Sequence, residues 1–207
     1  MKKDNIYDQR YSGSDFYWGK EHSLICDKAL EFYRPSSEVR PRLIDLGCGE
    51  GRNAIYFAKC GFDVVGMDAS MPGLEKTKRL AVEAGTQVEI VHADIISYAI
   101  QGQVDVVFST GALHYIPKEV REERFQQYKE ATSPDGINVM SVFVRKPFID
   151  KSPDGETSAC VYRSGELMSY YWDWEILYSI EEIIDCMSGG KPHKHAVNRV
   201  IARRGLG

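Results

Sequence analysis

Residues 43–53 read LIDLGCGEGRN: an apolar run, a carboxylate at Asp45 and glycines at Gly47, Gly49 and Gly51. Glycines at that spacing let the chain turn sharply and bring its backbone close to a ligand. The amides that open the next helix are then available to a polar or anionic group. A dinucleotide fingerprint needs the order GxGxxG. Here the order is GxGxG, and Arg52 stands where the third dinucleotide glycine would pack helix against strand. That side chain disfavours a nicotinamide dinucleotide. The Asp45 carboxylate would repel a pyrophosphate but suits the ammonium of a methionine moiety. The motif therefore favours S-adenosylmethionine (SAM).

Three further strand ends carry polar groups that could serve such a ligand. Asp68 closes the run DVVGMD, where a carboxylate can accept both hydroxyls of a ribose; an aspartate that simply favours a helix N-terminus is the plainer alternative. Ala69 and Ser70 follow it and should border the adenosine. HADI ends the third run: Asp94 could accept the exocyclic amine of adenine, with Ala93 and Ile95 beside the ring, although a surface aspartate would look the same. After the fourth run, residues 109–116 read STGALHYI. Enzymes that methylate adenine N6 or a protein glutamine usually carry [DNS]PP[YF] here, and this chain has Ser109, Thr110, Gly111 and Ala112, so those reactions are disfavoured. His114 and Tyr115 are candidates for the acceptor side, and His114 reads equally well as a packed loop histidine.

The elements that must hold these residues follow from hydrophobic periodicity. Short β-rich runs at 42–46, 63–67, 88–93, 104–110 and 137–143 alternate with helical stretches at 53–60, 70–84 and 121–132, which predicts an α/β domain with a mostly parallel sheet. Ser23 is a candidate N-cap for a helix over 23–33, and Pro35 stops it. Residues 133–136, SPDG, predict a turn. Beyond Phe143 the rhythm changes, and residues 144–172 read as an insertion over the substrate side with a short helix near 165–171. WEILYSIEEI and HAVNRVIAR then predict two strands in an antiparallel hairpin. The expectation is a Rossmann-like, seven-stranded, mostly parallel sheet with helices on both faces. Residues 1–207 form one domain, and residues 1–40 are a helical cap or lid.

Composition sets outer limits. The chain has 207 residues, 43% of them hydrophobic, with a formal charge of −4. A length of this order suits one domain. The acidic balance disfavours a nucleic-acid partner, whose phosphates need clustered cations. No run approaches the roughly 20 apolar residues that span a bilayer, and the N-terminus lacks the apolar core of a signal peptide. Five cysteines at irregular spacing suggest neither a disulfide framework nor a zinc site. A cytoplasmic protein, monomer or homodimer, is expected.

Taken together, DLGCGEGRN, GFDVVGMD, FSTGALHYIP and YRSGELMSYYWDWEILYSIE resemble the tellurite-resistance (TehB-like) methyltransferases, from about Tyr17 to Arg203. The resemblance implies a class I methyltransferase fold, SAM as cofactor, and a small soft acceptor such as tellurite, selenite or a related chalcogen compound. By position, Asp45, Gly47, Gly49, Gly51, Asn53, Asp68, Asp94 and Thr110 match the cofactor segments. The N-terminal FYWGKEH would form a lid, with Tyr17 and Trp18 touching SAM. Near the C-terminus the resemblance implies His and Arg on the substrate side; His193 and His195 share one strand face if that strand begins early. A solvated turn is the alternative. A metal reading of HxH lacks a third ligand in the sequence, so no metal is expected. Arg145, Arg163, His193 and His195 are the cations that could hold an oxyanion acceptor. A soft nucleophile needs no strong base, in keeping with the lack of a clear one. A methyltransferase for an oxygen or nitrogen metabolite, and a SAM-binding protein without transfer activity, are the other readings.

Overall fold

The computed structural model describes residues 6–35, 39–150, 161–187 and 190–205. Five strands run in parallel: β1 (Arg42–Leu46), β2 (Asp63–Asp68), β3 (Glu89–His92), β4 (Val104–Thr110) and β5 (Thr132–Val144). Two more, β6 (Glu175–Cys186) and β7 (His193–Arg203), form an antiparallel hairpin whose β7 pairs antiparallel with β5. The sheet order is β3-β2-β1-β4-β5-β7-β6. From β1 the chain steps outward to β2 and β3, then returns to the other side of β1. A parallel sheet that reverses in this way opens a crevice at the carboxyl ends of the two strands flanking the switch.

Apolar side chains alternate across the strands and bury both faces. On one face Leu43, Val64, Val106, Phe108 and Val139 pack with Ile25 and Ala29 of α2 (Leu24–Phe32), Phe57 of α3 (Arg52–Lys59) and Leu74 of α4 (Met71–Glu83). On the other, Ile44, Leu46, Val107, Met140 and Val200 pack with Phe125 and Tyr128 of α5 (Lys118–Ala131) and Leu167 of α6 (Glu166–Ser169). Helix α1 (Ile6–Tyr11) lies beside α4. Ser70 caps α4 by accepting the Gly73 amide, with Pro72 in the first turn. Ser23 takes the extended backbone of a cap, but its hydroxyl makes no cap bond and instead accepts from Arg52.

Two segments differ from the sequence expectation. The predicted turn at 133–136 is absorbed into β5 as an irregularity: register jumps from Val104↔Thr132 to Val106↔Ile137, and Asp135 takes φ 63°. Gly136 sits there with no room for a Cβ, which would lie 2.8 Å from the Asp105 carbonyl oxygen. The other difference is the stretch expected to cover the substrate side. Residues 151–160 lie outside the described residues, and the described remainder packs away from the crevice. Tyr162, Leu167 and Tyr171 are fully buried against α5, held by Arg121–Glu166 and Lys129–Asp173 ion pairs at 2.5 Å.

Candidate active site

The carboxyl ends of β1, β2, β3 and β4 open into a cavity of about 1300 Å³. That exceeds the roughly 300–1,000 Å³ of a site for one small ligand, so a cofactor and an acceptor fit together. Its walls fall into two halves.

The donor half is made of backbone and carboxylates. Gly47 turns out of β1 with φ 79°, and a Cβ there would sit 2.2 Å from the Ala112 Cβ. Gly49 presents its amide to Asp68 Oδ2 at 2.8 Å. Asp68 Oδ1 accepts from the Ser70 amide at 2.8 Å, and burial raises its carboxyl above the usual range. Both Asp68 oxygens retain lone pairs for further donors. Ala69, Ala93, Asp94, Ile95 and Thr110 complete this wall. Asp94 Oδ1 accepts the Ile96 amide, which fixes the loop. Asp45 lies behind the glycine loop, fully buried, with neither carboxylate oxygen hydrogen-bonded among the described residues. Burial first, and then Asp68, push its carboxyl up to about 8, with Arg52 opposing. Asp45, expected at the cofactor, does not line the cavity and with a carboxyl at about 8 is neutral at pH 7. The glycine turn, closed to any Cβ at Gly47, and the Asp68 carboxylate are the features that suit SAM. Gly51 and Ser70, expected at the cofactor, instead serve packing and capping. Gly51 is the close-approach point against Thr77, where a Cβ would meet its Cγ2 at 2.6 Å, and neither residue lines the cavity.

The N-terminal segment closes this half. Trp18, Tyr11 and Tyr7 line the cavity, with the Trp18 indole N–H donating to Tyr11 Oη at 3.0 Å. Tyr7 and Tyr115 hydroxyls meet at 3.1 Å across the opening. Arg52 donates to the Trp18 carbonyl at 2.9 Å, and Asn53 Oδ1 accepts the Ser23 amide at 2.9 Å. Glu50 forms a buried ion pair with Lys76 at 2.7 Å and accepts the Trp18 amide at 3.3 Å. The residue that breaks the dinucleotide pattern thus anchors the cap. Tyr17 does not line the cavity; it packs edge-on against Trp18.

The acceptor half comes from β5, the hairpin and the loop after β4. Because β7 runs antiparallel, its first residues lie where the parallel strands end, with Ala196 opposite Val144. His195, Val197 and Arg199, alternate residues on one face, line the cavity with Phe143, Ser141, Tyr115 and Cys186. Several expected acceptor residues are elsewhere. Arg145 and Arg163 are exposed and outside the cavity; each follows a buried residue, Val144 and Tyr162, and so points the opposite way, to solvent. His114 is buried behind Tyr115 and Phe143, with neither ring nitrogen hydrogen-bonded among the described residues. Burial, then His195 and Arg121, lower its pKa to about 4. His193 stands beside His195, at 2.9 Å between Nε2 atoms, but outside the cavity wall. A third ligand for this pair exists after all: Cys186, opposite His193 in the hairpin, completes a group whose donor atoms lie within 4.8 Å of one another. Arg199 was missed, although the two-residue period from His193 through His195 points to it; its guanidinium pairs with Glu182, and burial lowers its pKa.

Fold and site together are those of the Rossmann-like, SAM-dependent methyltransferases. The chain belongs to the tellurite resistance protein TehB family, whose sequence model matches residues 2–198. It is 27% identical over 85% of its length to a probable S-adenosyl-L-methionine-dependent methyltransferase TehB of Haemophilus influenzae, of which it covers 57%. It is 30% identical over 65% of its length to a 2-heptyl-1-hydroxyquinolin-4(1H)-one methyltransferase of Mycobacteroides abscessus, covering 60% of that protein. The chain therefore spans about three-fifths of these relatives. The crystal structure of TehB from Haemophilus influenzae superposes with a TM-score of 0.76 at 22% identity, over 99% of this chain and 68% of that one. No helix among the described residues is long and apolar enough to cross a membrane.

Proposed function

We propose that this chain transfers a methyl group from SAM to a small, soft nucleophile, a chalcogen oxyanion such as tellurite or selenite or a small thiol. The observation that carries this reading is the continuity of one cavity from the Asp68 carboxylate to the His195 and Arg199 side chains. Bound in the donor half, SAM supplies an activated methyl on a sulfonium. Asp68 holds the ribose hydroxyls, the turn at Gly47 and Gly49 receives the methionine moiety, and Ile95 and Ala93 flank the adenine. Trp18, Tyr11 and Tyr7 exclude water. The catalytic contribution is then mainly proximity and orientation. Arg199 and His195 hold the acceptor's oxygens or its thiolate. Among the described residues no carboxylate lines the acceptor half, which suits a lone pair that is already nucleophilic.

The aromatic and aliphatic acceptor wall (Phe143, Val142, Val197, Ile184) supports a second reading, an organic hydroxyl acceptor; ubiquinone biosynthesis O-methyltransferase of Roseobacter denitrificans is among the relatives, at 28% identity over 58% of this chain. The chain works as one domain with residues 1–40 as its cap, in a reducing, cytoplasmic setting that suits the thiols Cys26, Cys48 and Cys60, none of which is in a disulfide. A transfer assay with methyl-labelled SAM tests the proposal, against tellurite, selenite, small thiols and small phenols, with headspace mass spectrometry. Volatile methylated chalcogen or thioether products are expected. Label only in phenols would replace the first reading with the second.

A further inference from the structure

We propose that Cys186, His193 and His195 form a metal site for a borderline divalent ion of the zinc class, at the acceptor wall of the cavity. Three independent features place it. First, the hairpin sets the donors on one face: Cys186 pairs directly with His193, and His195 lies two residues further along β7. Second, the His193 Nδ1–H points to the Lys191 carbonyl at 2.8 Å. A carbonyl can only accept, so this bond fixes the tautomer and leaves Nε2 as the ligating atom, the usual outer support of a metal-bound imidazole. Third, that Nε2 converges on the Nε2 of His195 at 2.9 Å, with all three donor atoms within 4.8 Å of one another. In a tetrahedral site with bonds of about 2.0–2.3 Å, donors stand roughly 3.3–3.6 Å apart. Closure on an ion therefore needs shifts of about an ångström at half-buried side chains.

The donor set, one thiolate and two imidazoles, selects zinc-like ions over calcium or magnesium, which take oxygen. Three protein ligands leave one position open, the pattern of a reactive rather than a structural centre. Cys186 and His195 both line the cavity, so that position meets the acceptor. Resting on the methyl-transfer reading, the site would present a thiol acceptor as its thiolate. The thiol displaces a metal-bound water, its S–H proton leaves to solvent, and the sulfur keeps the lone pair that accepts the methyl group.

Cobalt(II) titration of the full chain under anaerobic conditions tests this without relying on turnover. One equivalent should give tetrahedral d–d bands and a thiolate-to-cobalt charge-transfer band. Cys186→Ser should lose the charge-transfer band, and His195→Ala should weaken binding at least about tenfold. Cys60→Ser, which removes an exposed thiol elsewhere, should keep both signals. Circular dichroism and S-adenosylhomocysteine binding of each variant separate site loss from misfolding. Absence of the charge-transfer band in the parent chain, or its persistence in Cys186→Ser, overturns the site. Adding a small thiol should shift the d–d bands, and unmoved bands overturn the acceptor role. Failure of SAM to bind while the cobalt spectrum is intact would sink the transfer reading and leave the metal site standing.

Discussion

The donor and acceptor halves of the cavity are built on different principles. The donor half draws on consecutive strand ends: a glycine loop, the Asp68 carboxylate bonded to two amides, and Asp45 buried beneath. Its shape is mostly backbone, which tolerates little substitution. The acceptor half is assembled from side chains of β5, β6 and β7, brought together only by the antiparallel insertion of β7. Substitutions there can alter one half of the cavity without disturbing the glycine loop and Asp68.

The sharpest way to break this contrast is at Gly47. Gly47→Val places a Cβ against Ala112 at a positive φ, a strain of about 2–4 kcal/mol. SAM affinity should fall by about two orders of magnitude or more in calorimetry. Asp68→Ala removes hydrogen bonds to the ribose and to two backbone amides, and SAM binding should weaken by about 1–3 kcal/mol. On the acceptor side, Arg199→Ala should raise the acceptor KM about tenfold in steady-state kinetics.

Two groups buried behind the cavity walls, Asp45 behind the glycine loop and His114 behind Tyr115 and Phe143, make the stability respond to pH in opposite directions. His114 keeps a pKa of about 4 in the fold. Between its unfolded value near 6.5 and 4, the unfolded chain binds the proton more readily, so stability falls as pH falls through that window. Asp45, at about 8 when folded, loses a proton more readily when unfolded, so its contribution falls as pH rises from about 4 to 8. Each slope is at most about 1.4 kcal/mol per pH unit. Urea unfolding across pH should show His114→Gln flattening the first window and Asp45→Asn the second. The smallest effect belongs to Arg145→Ala and Arg163→Ala, which lie outside the cavity and should change kcat/KM by less than about twofold.

The same contrast explains what could be read in the sequence. Strand–glycine–helix order is local, so Gly47, Asp68 and Ala93 are legible from spacing as residues of the strand ends that line the cavity, as is the hairpin, whereas Thr110 comes from the family resemblance. The acceptor wall depends on which strands become neighbours and on strand direction, and local spacing does not carry either. Arg145 and Arg163 are close in sequence to strand ends yet face solvent. Arg199 shares the strand face of His195, but that face reaches the cavity only because β7 pairs with β5, and Cys186 reaches it only because β6 pairs with β7. His114 sits at the expected loop, but its side chain turns into the core between Tyr115 and Phe143. The SPDG segment shows turn chemistry spent on a bulge, because β5 continues past it to pair with β4.

The most direct test compares Asp68→Ala and Arg199→Ala in one experiment that measures both SAM affinity and acceptor KM. Asp68→Ala should lose SAM affinity, and Arg199→Ala should keep SAM affinity while its acceptor KM rises. Equal loss of SAM affinity in both variants would contradict a cavity divided into donor and acceptor halves.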